Sequence, residues 1–167
     1  LKHGGTIDKI VGDAVVAFFG APLPQEDRQM RAVLCALEMD RFSEEFRNGA
    51  DARRVRLGRT RIGVHSGEAT IGNFGGDALF DYTAHGDAVN TAARLERANK
   101  DFGTPLCVSD ETARGCPGLR FRPIGNVLLK GNSAPVGVVE PVSADLPEDL
   151  LRRYGRAYDL LSKSPAQ

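Results

Sequence analysis

A chain of 167 residues is the right size for one domain with a proper core, and 41% hydrophobic with 26% charged residues fits an ordinary soluble globular protein. Lys plus Arg equals Asp plus Glu at 22 each, so no whole-chain charge bias points to nucleic acid or an acidic membrane surface. No apolar run approaches the ~20 residues of a membrane helix and nothing at the start resembles a signal peptide, which makes the cytoplasm, or the cytoplasmic domain of a longer protein, the expected location. The odd number of cysteines (Cys35, Cys107 and Cys116) with no paired metal spacing predicts free buried thiols rather than a disulfide.

In chain order, Ile7, Ile10 and Val11 read as one strand and 14–19 as a second, joined at Gly12-Asp13. A Gly-Asp tip can supply the positive φ of a hairpin turn, and it sets the Asp13 carboxylate at the exposed end of the sheet. Pro22 and Pro24 end this hairpin. Gln25, Glu26 and Asp27 then open a helix over 26–47, whose Met30, Val33, Leu34, Leu37, Met39, Phe42 and Phe46 recur mostly at helical spacing. Alternation over 55–64 predicts a strand, with 69–73 as its hairpin partner and Gly75-Gly76-Asp77 as a loop. A helix is expected over 87–100. Leu106 to Ser109 reads as a short buried strand, followed by a brief helix through Arg114 capped by Ser109 or Asp110. A last hairpin begins at Phe121 and is completed over 136–142. A terminal helix from Pro147 to Leu161 sets Leu150, Leu151, Tyr154, Tyr158 and Leu161 on one face. Helices alternating with antiparallel hairpins argue for an α+β fold.

Four ordered motifs narrow this further. The string from Gly4 to Gly20, containing Asp8-Lys9-Ile10-Val11-Gly12-Asp13, resembles the second conserved segment of the class III nucleotidyl cyclases, the adenylate and guanylate cyclase family. Phe80 to Glu96 resembles that family's strand-to-helix segment, with Asn90 and Arg94 in register. Arg61 to Glu68 with Ile71 to Asn73 resembles the hairpin at its dimer contact, and Leu129-Lys130-Gly131 matches its late lysine turn. Four matches in order exceed what isolated motifs supply. The resemblance implies a ferredoxin-like α+β fold with an antiparallel-rich sheet and helices on one face. It places a catalytic domain over 1–145 and a C-terminal helix and tail over 146–167. Measured against the family, the chain opens after the first strand, which carries the first metal-binding aspartate, and after two helices. A fragment lacking them is expected to be inactive alone.

The same resemblance assigns roles. Asp13 becomes a ligand for Mg²⁺ or Mn²⁺, two ions per site, which suits an attack of the ribose 3′-hydroxyl of ATP on its α-phosphate. Lys9 and Thr83 become the base-reading pair. A lysine donor beside an acceptor favours adenine, whereas guanylate cyclases usually place glutamate at the lysine position, and a threonine hydroxyl can accept or donate. Asn90 and Arg94, four residues apart, share a helix face. In the family they orient the ribose and stabilise charge at phosphorus. Lys130 would reach the terminal phosphates; the next basic position of that turn is Asn132 here. Both halves of the family's composite site occur in one chain, which implies a head-to-tail homodimer with two equivalent sites. The expected activity is conversion of ATP to 3′,5′-cyclic AMP and pyrophosphate. A non-catalytic cyclase-like regulatory module and a guanylate cyclase remain open. His65 and His85 are read as structural.

Overall fold

The computed structural model describes residues 2–49, 58–76, 79–128 and 135–163. In chain order the elements are β1 (Thr6–Val11), β2 (Ala14–Phe18), α1 (Arg28–Asn48), β3 (Ile62–Val64), β4 (Thr70–Gly76) and β5 (Leu79–His85). There follow α2 (Asp87–Phe102), β6 (Leu106–Ser109), α3 (Asp110–Arg114), β7 (Phe121–Val127), β8 (Val136–Pro141) and α4 (Glu148–Lys163). A four-stranded sheet in the order β3-β6-β8-β7 forms the centre, and β1-β2 and β4-β5 are separate two-stranded ribbons. The α+β architecture is as expected.

The core is organised around β6, whose four residues are all buried. Successive strand side chains point to opposite faces. Accordingly, Leu106 and Val108 pack with Val33 and Ala36 of α1, while Cys107 packs with Leu95 of α2. In β8, Val139 joins the α1 side and Val138 the α2 side. The first two helices therefore cover opposite faces of this sheet instead of sharing one, which corrects the one-sided arrangement expected. On the α2 side Gly63 is essential: a Cβ there would lie 2.2 Å from the Ala92 carbonyl oxygen and 2.3 Å from the Glu96 nitrogen. Gly63→Ala must push helix backbone off the sheet, and an expected loss of about 3 kcal/mol of unfolding free energy is measurable by urea denaturation. The same seam is held by the buried Asn99, whose amide donates to the Ile62 carbonyl at 2.8 Å while its oxygen accepts from Thr104 Oγ1 at 2.8 Å.

Several boundaries and pairings differ from expectation. The strand expected over 55–64 is observed only as Ile62–Val64; residues 58–61 are irregular, and 55–57 lie outside the described residues. Its partner is β6, in parallel register, and not the segment after it. That segment, β4, pairs antiparallel with β5 and includes Gly75 and Gly76, which were expected in a loop. A parallel pair needs a long crossover, and the β4-β5 ribbon with α2 supplies it. Helix α1 is apolar on more than one side: Val33 and Ala36 are buried, but Leu34, Met39, Phe42 and Phe46 are exposed. In α4, Leu150 and Leu161 are exposed, while Tyr154 docks on β7 by donating its hydroxyl to the Pro123 carbonyl at 2.9 Å. All three cysteines are free, Cys107 and Cys116 buried and Cys35 half-buried, and burial raises each thiol pKa above its ordinary value. No helix among the described residues is long and apolar enough to cross a membrane.

Candidate functional site

The site begins in the first hairpin. Gly12 has φ +63° at its tip, the conformation a tight turn requires and one that glycine adopts without cost. Asp13 follows it, exposed, where a hard carboxylate oxygen can meet a cation. Among the described residues no three of His, Cys, Asp and Glu converge into a ready-made metal cluster. Asp13 does not constitute a metal site by itself.

The ladder between β1 and β2 slips by one residue: Ile7 lies opposite Ala17, yet Lys9 lies opposite Val16. Asp8 is the extra residue. Such a bulge re-aims side chains that strict alternation would send to opposite faces. Lys9 Nζ donates to Thr83 Oγ1 at 3.0 Å, joining residues 74 apart in sequence and bridging the two ribbons. It also lies 3.4 Å from Asp8 Oδ2. Thr83 is only 5% exposed, and its neighbour Tyr82 meets Phe18 of β2 with ring centroids 6.0 Å apart. The base-reading pair expected from sequence is thereby brought into direct contact.

Strand β5 runs through Gly86 into α2, which carries Asn90 and Arg94 one turn apart. Asn90 is exposed and Arg94 half-buried. Lys130 and the rest of its turn lie outside the described residues. Asp8 is the residue that sequence reasoning missed. Its place immediately before Lys9 was visible, but period-two alternation puts consecutive residues on opposite faces, and only the bulge brings them together.

His65 and His85, read from the sequence as structural, each contact a neighbouring side chain. His85 packs edge-on against Phe74, with centroids 4.3 Å apart. His65 Nδ1 lies 2.9 Å from Ser109 Oγ, which is 3.0 Å from Thr112 Oγ1; that hydroxyl donates to Ser66 Oγ at 3.0 Å. Ser109 also caps α3 by accepting from the Thr112 amide. Burial holds the His65 pKa below its ordinary value of 6.5. On acidification the unfolded chain therefore binds this proton first. Stability should fall as pH drops through about 6.5 and level off below the folded-state pKa. His65→Gln should flatten that part of a plot of Tm against pH between about 7 and about 5.

Comparison with known proteins identifies the family of the chain. The family described as the adenylate and guanylate cyclase catalytic domain matches residues 3–139. Adenylate cyclase 1 of Rhizobium meliloti is 38% identical over 141 residues, covering 84% of this chain but only 21% of that protein. Among solved structures, the adenylyl cyclase CyaB from P. aeruginosa has a TM-score of 0.74 at 34% identity, covering 87% of this chain and 75% of that one. The guanylyl cyclase Cya2 has a TM-score of 0.69 at 30% identity, covering 89% and 75%. With four sequence motifs in order, the lysine–threonine contact in place and a match over most of its length, the chain belongs to the adenylate and guanylate cyclase catalytic domain family.

Proposed function

We propose that this chain is part of the catalytic domain of an adenylate cyclase, and that the full-length protein converts ATP to 3′,5′-cyclic AMP and pyrophosphate. The observation that carries the reading is the 3.0 Å hydrogen bond from Lys9 Nζ to Thr83 Oγ1. That bond fixes an ammonium whose side chain is still 44% exposed, so its remaining N–H groups can address a ligand. Adenine presents an acceptor at N1 beside a donor at N6. Lys9 donates to the first, and the second lone pair of the Thr83 oxygen accepts from the other.

In the reaction, the 3′-hydroxyl gives its proton to solvent water, its oxygen forms a bond to the α-phosphorus, and the bond from that phosphorus to the β-phosphate bridge breaks. Pyrophosphate carries the electron pair away. Asn90 holds the ribose so that the hydroxyl lies in line, and the Arg94 guanidinium stabilises charge developing on the α-phosphate. Lys130 attends the terminal phosphates. Mg²⁺ or Mn²⁺ held by Asp13 would lower the pKa of the hydroxyl and neutralise the leaving group, two ions serving each site. A head-to-tail homodimer accounts for the exposure of Ile10, Val11 and Val15 on the first hairpin, an apolar surface suited to a second copy.

The guanylate cyclase reading draws on one observation, that the Thr83 hydroxyl can donate as well as accept. The test is incubation of the full-length protein with ATP and, separately, with GTP, each with Mn²⁺. Cyclic AMP and pyrophosphate in equal amounts support the proposal. Formation of ADP and phosphate, or no turnover with either nucleotide, contradicts it.

A further inference from the structure

We infer that Asp8 is a positioning residue for the base-reading lysine, acting through Lys9 and touching no part of the nucleotide. This rests on the assignment of Lys9 to base recognition. The Asp8 side chain is completely buried, and neither carboxylate oxygen has a hydrogen-bond partner among the described residues. A buried carboxylate is costly unless a cation compensates it. A cation within reach among the described residues is Lys9 Nζ, at 3.4 Å from Oδ2. The bulge at Asp8 is what makes the contact possible, because an unbroken β1-β2 ladder would turn the two side chains away from each other.

The lysine consequently sits between the Asp8 carboxylate, its ion-pair partner at 3.4 Å, and the Thr83 hydroxyl, which accepts its hydrogen bond at 3.0 Å. A flexible four-carbon stem held at both contacts presents its remaining N–H groups in a restricted set of directions. A flexible stem without that hold samples more. Because the Asp8 side chain has no accessible surface, it cannot take over the acceptor role toward the base; its influence must pass through Lys9. The pair also explains how the bulge survives at a strand that is otherwise exposed: the buried charge is matched only in this register.

The experiment is a double-mutant cycle on the full-length protein with ATP and GTP as substrates and Mn²⁺ present. Asp8→Asn keeps the shape and removes the charge. It should raise KM for ATP about tenfold with little change in kcat, and should narrow the ATP-to-GTP preference by a similar factor. In a Lys9→Ala background the same change should have no further effect on kcat/KM for ATP, since the group it positions is gone. That non-additivity separates a positioning role from a general loss of structure, which would add to the Lys9→Ala loss. Asp8→Ser supplies the second neutral variant, with the same expected outcome, if Asp8→Asn does not fold. Unchanged KM and nucleotide preference in a folded neutral variant, alongside an impaired Lys9→Ala enzyme, overturns the role of Asp8 alone. Unchanged ATP kinetics in Lys9→Ala overturns the base-reading assignment and this inference with it.

Discussion

Asp13→Ala is expected to reduce metal-dependent turnover by about 1000-fold or more, since a bound cation contributes several kcal/mol to such a transition state and each ~1.4 kcal/mol is a factor of ten. The exposed position of Asp13 at a hairpin tip makes this a clean substitution. It removes no packing, so Tm should move little. Steady-state rates across a Mn²⁺ titration, paired with a thermal melt, separate the two effects. Retention of the full rate would mean that Asp13 holds no catalytic metal, and the two-ion assignment would fail.

Lys9→Glu is expected to lower kcat/KM for ATP by about 100-fold, more than for GTP, so that the nucleotide preference shifts away from adenine. Part of the loss is direct. A donor to adenine N1 is replaced by an acceptor, and hydrogen bonds to charged groups are worth about 1.5–3 kcal/mol. Part is local. The buried Asp8 carboxylate loses its cation and gains a like charge beside it, at a cost below the ~3–5 kcal/mol of a fully buried pair because the Lys9 side chain is 44% exposed and its charge screened. The two parts have different signatures. Loss of stability lowers Tm and affects both nucleotides, whereas loss of recognition changes the ratio between them. An unchanged ATP-to-GTP ratio in folded Lys9→Glu enzyme would remove Lys9 from base selection.

Much of the architecture could be read from residue patterns because local chemistry settles it. Leu106 to Val108 is apolar, the strand through Ser109 is short, and all four residues are buried at the centre of the sheet. Ser109 accepts from the Thr112 amide, as a cap before a brief helix should. Gly12 adopts the positive φ that its place before Asp13 suggested. Alternation marks a strand without naming its neighbour, however, so β3 was expected beside the segment that follows it and is found beside β6. Nor does the helical spacing of apolar residues in α1 say which of them meet the sheet. Val33 and Ala36 do; Phe42 and Phe46 do not.

The candidate site follows the same division. Lys9, Thr83, Asn90 and Arg94 were legible only through motif resemblance, since each would otherwise pass for an ordinary polar residue on a strand or helix. Contact between Lys9 and Thr83 then depends on how two ribbons meet, which no local pattern encodes. Asp8 was hidden by the alternation rule itself, because a one-residue slip in register reverses which face a side chain occupies. Tertiary pairing supplied what periodicity could not.

The most direct test of the adenylate cyclase assignment is a comparison of kcat/KM for ATP and GTP in the full-length protein with Mn²⁺, with the cyclic product identified in each case. The Lys9–Thr83 arrangement predicts cyclic AMP as the main product, with ATP preferred by about tenfold or more, the size expected from one charged hydrogen bond. Equal or greater production of cyclic GMP would contradict it.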